Sequence, residues 1–160
     1  MKSHIQSITL HYPDGTKPAA MANEQDRAIA DLCAQGVFAF HNDNCPPYHI
    51  DLSVYNRQLV LKAVDGQGNQ RPHLILSLSP YRSIIKDYFL MIESYERARH
   101  EGNQTRLEPI DMARRGLHND AADLMIDRLH DKIMRDHDPA RRFFTLLCVL
   151  HMDQARLWQG

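Results

Sequence analysis

No stretch of the sequence approaches the ~20 consecutive apolar residues that cross a bilayer. Met1 to Leu10 has neither a charged leader nor an uninterrupted apolar core. The expectation is a protein that is neither exported nor membrane-embedded, and so cytoplasmic. Cysteine is scarce: Cys33, Cys45 and Cys148 are the only three, without a repeated spacing. An odd count of this kind argues against a disulfide framework and a structural zinc site, and suits a reducing compartment. Charge of one sign is lacking too. Lys and Arg number 19 against 20 Asp and Glu, a formal net charge of -1, so no global field draws the chain to DNA or to an acidic membrane surface. Gly and Pro are sparse, at 7 and 8 of 160 residues, which excludes collagen-like and low-complexity classes. Familiar catalytic signatures are missing: there is no G-x-S-x-G, no P-loop, no H-E-x-x-H and no paired C-x-x-C. Gly66-Gln67-Gly68 is followed by Arg71 where a dinucleotide fingerprint has glycine. That glycine pair reads as a turn.

What remains is an ordinary globular composition, 43% apolar and 24% charged. A chain of this length buries roughly 70% of its unfolded surface around one core. A single domain over 1–160 is expected, strand-rich to about residue 78 and helical over about 79–158. Ser3 to Leu10 alternates loosely and reads as a strand before the turn Pro13-Asp14-Gly15. Asn23 stands where a cap would precede a helix from Glu24 to Gln35, with Ala28, Ile29, Leu32 and Cys33 at helical spacing and Gly36 as C-terminal cap. A short strand, Val37 to Phe40, follows. Tyr48 to Tyr55, Gln58 to Val64 and His73 to Leu78 alternate with period two and are joined by short breaks, which predicts an antiparallel meander.

At Ser79 the period changes. Ser79-Pro80 resembles a capped helix start, and Ile84, Ile85, Tyr88, Phe89, Met91, Ile92 and Tyr95 form a broad apolar face. A second helical stretch from about Pro109 to Ile133 holds Gly116, a point at which it can divide. Asp138-Pro139 repeats the cap-then-proline signature, and Phe143 to Leu150 is apolar almost all round, as a helix in the middle of a bundle is. The fold class expected is α+β: an N-terminal antiparallel meander with one helix, then three to four packed helices.

Chemistry is concentrated in the helical half. Asp111, Arg114, Arg115 and His118 fall three or four residues apart, which brings their heads together on one helix face. Guanidinium forks bind carboxylate or phosphate in bidentate fashion, and His118 can donate to the same anion or shuttle a proton, with Asp111 orienting a neighbour. The plainer alternative is a helix surface on which Asp111 pairs with an arginine. Arg82, Arg141 and Arg142 lie in the first turns of two helices, where the helix dipole is already positive. A bound anion offsets such placement, as do Asp136 or Asp138, and long arginine stems also cover apolar surface. Asp123, Asp127 and Asp131 with His130 form at most a loose cation site on a solvated face. His41 to Cys45 is explained by turn chemistry, and Tyr81, Tyr88 and Tyr95 by the core or its rim.

Several segments in order carry a resemblance. Ser77-Leu78-Ser79-Pro80-Tyr81-Arg82, Lys86-Asp87-Tyr88-Phe89, Ile110-Asp111-Met112, Arg114-Arg115-Gly116-Leu117-His118-Asn119, Ala140-Arg141-Arg142 and Cys148-Val149-Leu150-His151 look like the hallmark segments of uncharacterised protein family 0262. These are short proteins of alpha-proteobacteria. The chain departs from that pattern at Ala113, at Asp120-Ala121-Ala122 and at Pro139. The resemblance implies an intracellular bacterial protein and no activity, cofactor or partner.

Three functions suit these residues. The leading expectation is a protein that binds a small anionic ligand, phosphate or carboxylate, through Arg82, Arg114, Arg115, His118, Asn119, Arg141 and Arg142. The second is an interaction module or homodimer using the same arginines structurally. The third is an enzyme with His118 as general acid or base and Asp111 orienting it. No metal, DNA or membrane partner is expected.

Overall fold

The structure is a computed structural model that describes residues 4–12, 22–35, 45–129 and 137–151. Elements run in the order β1 (Ile5–His11), α1 (Ala22–Gln35), β2 (Tyr48–Tyr55), β3 (Gln58–Val64), β4 (Leu74–Ser77), a short 3-10 turn (Ser79–Tyr81), α2 (Arg82–His100), α3 (Gln104–Leu129) and α4 (His137–Leu150). The fold is α+β, with a four-stranded sheet in the order β1-β2-β3-β4. The expected turn at Pro13, strand at Val37–Phe40 and loop at His41–Asn44 lie outside the described residues, as do His130, Asp131 and Ile133.

β2, β3 and β4 form the predicted antiparallel meander. β1 corrects it: this strand pairs with β2 in parallel, Ile8 opposite Ile50 and Leu10 opposite Leu52. The sheet is therefore mixed. The chain between these strands carries α1, and a crossover of that length brings β2 back beside β1 in the same direction. A register shift between Ile5 and Ser7 explains the loose alternation of β1, because it lets Ile5 and Ile8, three residues apart, both turn to the core. One sheet face is apolar and buried through Tyr48, Ile50, Leu52, Leu59, Leu61, Leu74 and Leu76.

The breaks between strands have distinct causes. Asn56 and Arg57 both have positive φ, +56° and +61°, the conformation of a two-residue hairpin turn. Beyond β3, buried Asp65 accepts hydrogen bonds from the Gln67 and Asn69 amides at 2.9 and 3.0 Å. Gly66 is needed there for closeness: its amide donates to the Cys45 carbonyl at 2.7 Å, and a Cβ would lie 2.5 Å from the Pro46 carbonyl oxygen.

The helix starts differ from the capped starts expected. α1 begins at Ala22, which puts Asn23 inside it. Ser79-Pro80 opens the 3-10 turn, and no side chain caps it. α4 begins at His137, so Pro139 is a buried residue of its first turn. α3 starts earlier than expected and runs unbroken through both Pro109 and Gly116. α2 buries Ile85, Tyr88, Phe89 and Ala98 along one face and leaves Leu90 exposed on another. α4 alone is buried continuously, from Phe143 to Leu150. α3 packs against both α2 and α4, α4 against α1, and α1 against β1. A single apolar cluster joins the sheet face to the helices. No helix among the described residues is long and apolar enough to cross a membrane.

Candidate functional site

α4 is the axis on which the site is built. Its apolar length is buried, so only its first turns reach the surface, and these carry Asp138, Arg141 and Arg142, with the buried Thr145 just beyond at the cleft wall. α3 runs alongside and presents Arg114, Arg115, His118 and Asn119, while α1 presents Asn23, Glu24, Arg27 and Asp31 from the other side. Between them is a cleft of about 600 Å³, with Tyr88 of α2 also on its wall. Of the residues picked out from sequence, Arg114, Arg115, His118, Asn119, Arg141 and Arg142 line it. Arg82, exposed at the first position of α2, does not, and neither does Asp111.

The arginines are held in place by oxygen atoms. Asp111 accepts Arg114 Nη2 on Oδ1 at 2.8 Å and approaches Arg115 Nη2 with Oδ2 at 3.2 Å. Arg141 donates from Nη1 to Asn119 Oδ1 at 2.8 Å and from Nη2 to Asp138. Arg142 reaches across to α1, Nε to Asp31 Oδ2 at 3.2 Å, and Nη1 donates to the Asp138 carbonyl at 3.0 Å. These pairs are partly solvated, and such pairs are each worth at most about 1 kcal/mol. Their consequence is orientation. A guanidinium has five N–H donors, and the bonds described use one of Arg114 and two each of Arg141 and Arg142. Arg27 makes no ion pair with another described residue.

His118 sits in an aromatic corner. Its ring meets Tyr88 edge-on at 5.1 Å and Phe144 at 5.5 Å, and Tyr88 meets Phe144 at 5.8 Å. Burial, together with the positive charges of Arg114 and Arg141, pushes the imidazole pKa down to about 4, so His118 is neutral at pH 7. Burial, with smaller contributions from Cys148 and Glu24, pushes the Tyr88 hydroxyl up, and it keeps its proton. Asp111, expected to orient His118, is instead occupied by Arg114 and Arg115. No hydrogen bond links His118 to another described residue.

Sequence reasoning did not select Arg27, Glu24, Asp31 or Thr145, and it assigned Tyr88 to the core or its rim. Glu24, Arg27 and Asp31 do recur at helical spacing beside the apolar stripe of Ala28 and Leu32. That polar stripe is indistinguishable from a solvated face until α4 is packed against it. Among the described residues, no three His, Cys, Asp or Glu side chains form a group able to hold a metal ion.

The fold and the cleft define an α+β protein with an open, mixed four-stranded sheet and an arginine-lined cleft among its helices. The chain belongs to the uncharacterised protein family UPF0262, whose model matches residues 2–153. Its relatives include a UPF0262 protein of Phenylobacterium zucineum, 41% identical over 99% of this chain and 96% of the relative. Those of Chelativorans sp. (38%, covering 94% of each chain) and Allorhizobium ampelinum (43%, covering 86% of this chain and 85% of the relative) are similar. No solved structure matches the chain.

Proposed function

We propose that this protein binds a small anion, bearing phosphate or carboxylate, in the cleft between α1, α3 and α4. The observation that carries the proposal is the lining itself: five arginines and three carboxylates around one cleft of about 600 Å³, in a chain whose formal net charge is -1. Asp111, Asp138 and Asp31 partner four of these arginines, and the guanidinium N–H groups left over are donors that an anion can take. The apolar corner of Tyr88, His118 and Phe144 lowers the local dielectric and strengthens the attraction for an anion.

Thermal melting against nucleotides, sugar phosphates and dicarboxylates tests the proposal. A ligand at 100 times its Kd stabilises by about 2.7 kcal/mol, roughly 5–10 °C for a chain of this size. The Arg114→Ala/Arg141→Ala double variant is expected to lose the shift. No stabilising anion, or an equal shift in the variant, removes the proposal.

A second reading rests on the ion pairs. Arg114, Arg115, Arg141 and Arg142 each have a carboxylate partner; the first three pairs lie within one helix, while Arg142–Asp31 joins α4 to α1, so Arg142 serves to fasten helices. On that reading Arg142→Ala melts roughly 2–4 °C below the wild type without any ligand, as loss of about 1 kcal/mol predicts, and no anion alters either protein. Among the described residues, no carboxylate bonds to the ring of His118.

A further inference from the structure

We propose, resting on the anion-binding reading above, that the cleft is built for a tetrahedral dianion, the phosphoryl head of a phosphate monoester, which enters together with one proton taken up by His118.

The direction of the donors argues for a tetrahedral group. A carboxylate is planar and is satisfied by one guanidinium fork lying in its plane. A phosphoryl group has three oxygens pointing apart and is satisfied by donors arriving from several sides. Here Arg27 comes from α1, Arg114 and Arg115 from α3, and Arg141 and Arg142 from α4. The wall adds a further donor. Tyr88 is only 1% exposed yet lines the cleft, and its hydroxyl makes no hydrogen bond with another described residue. With its ring fixed by burial, the hydroxyl can turn its proton to a ligand oxygen without giving up a bond to another described residue. Tyr88 thus adds a neutral donor from α2, independent of the arginines.

His118 supplies the proton linkage. The charged and titratable groups around it are Glu24, Arg27 and Asp31 of α1, Tyr88 of α2, Arg114 and Arg115 of α3, and Asp138, Arg141 and Arg142 of α4. Asp111, held by Arg114 and Arg115, stands behind that wall. Without an anion, burial and the two cations that act on the ring, Arg114 and Arg141, oppose its protonation. A dianion between them reverses the sign of the nearest charge. The imidazole then takes a proton from solvent on its free nitrogen, becomes a donor at both ring nitrogens, and holds the incoming oxygen from the aromatic side. No bond of the ligand is made or broken.

Sulfate is the discriminating probe, since it is a tetrahedral dianion that does not itself titrate between pH 5 and 8. Calorimetric titration of the full chain, in buffers of different ionisation enthalpy, reads the protons taken up per sulfate bound. The expected results are proton uptake at pH 6 and an affinity for sulfate that falls about tenfold between pH 5 and pH 7.5. With His118→Asn the uptake is lost and the pH dependence shrinks to within about twofold, which subtracts the contribution of every other group. Inorganic phosphate is expected to bind at least tenfold more tightly than succinate at pH 7, and Tyr88→Phe to weaken phosphate about tenfold. Should His118→Asn fail to fold, the His118 ring resonances of the wild type, titrated with and without sulfate, read the same linkage as an upward move of the midpoint. Sulfate binding without proton uptake overturns the inference and leaves the anion site standing, as does a preference for succinate. Absence of binding by sulfate, phosphate and succinate alike overturns both.

Discussion

Arg57 occupies a backbone conformation that L residues avoid. The hairpin between β2 and β3 turns in two residues, and both take positive φ so that the turn matches the twist of the strands. Asparagine enters the left-handed region more readily than most L residues, so Asn56 tolerates this, whereas Arg57 bears a Cβ clash of roughly 1–2 kcal/mol. Glycine removes the clash but adds unfolded-state freedom worth roughly 0.5–1 kcal/mol. Arg57→Gly is therefore expected to raise stability by about 0.5–1 kcal/mol, seen as a higher urea midpoint at unchanged slope. Asn-Arg was legible in the sequence as a tight break, though not the strain within it. At the cleft the same limit holds. Arg114, Arg115 and His118 announce themselves by spacing along α3, but Tyr88 looks like any aromatic on an apolar face, and Arg27 like any solvated cation. Their position at a common wall depends on which helix packs beside them.

Helix α3 shows what periodicity conveys and what it conceals at the scale of one element. Pro109 lacks an amide proton and Gly116 carries a real helix penalty, so local propensity alone predicts a start at about Pro109 and a point of division at Gly116. Past Gly116 the helix continues because Ala121, Ala122, Met125 and Leu129 are buried among its neighbours, and packing outweighs propensity. A Cβ on Gly116 would meet nothing within 4 Å. Gly116→Ala is accordingly expected to stabilise the protein by roughly 0.5–1 kcal/mol, with the helical circular-dichroism signal retained; a loss of stability would mean that the glycine is kept for a close contact. β1 is the complementary case. Its strand character was legible, yet its parallel pairing was not, because direction depends on the path of the connection and not on the strand's own residues.

Across the whole molecule, the buried imidazoles link stability to pH. His118 has a folded pKa of about 4, well below the ordinary 6.5 of the unfolded chain. Burial lowers His151 too, against the opposing effect of its bond to the Leu147 carbonyl. Between the two pKa values the unfolded state holds more protons than the folded one, so stability rises with pH through that window and falls on acidification. Above pH 6.5 these groups contribute nothing further. The melting temperature is expected to drop steadily as pH goes from 6.5 to 4, and to drop less in His118→Gln. A melting temperature that is flat over that range would show the imidazole to be solvated.

Residue order by itself determined the α+β class, the β2-β3-β4 meander, the amphipathic helices and the buried α4, because each follows from a local period or a turn residue. It also contained the arginines of α3 and α4 and the family to which the chain belongs. Tertiary structure decided what lies between those arginines. Packing α4 against α1 on one side and α3 on the other brings residues more than a hundred positions apart, Asp31 and Arg142, into one ion pair. It leaves Arg82 outside and gives Asp111 to two guanidiniums. It also sets His118 against Tyr88 and Phe144, where burial and positive charge deprive it of its proton. Those outcomes depend on distances between elements, and no local pattern encodes them.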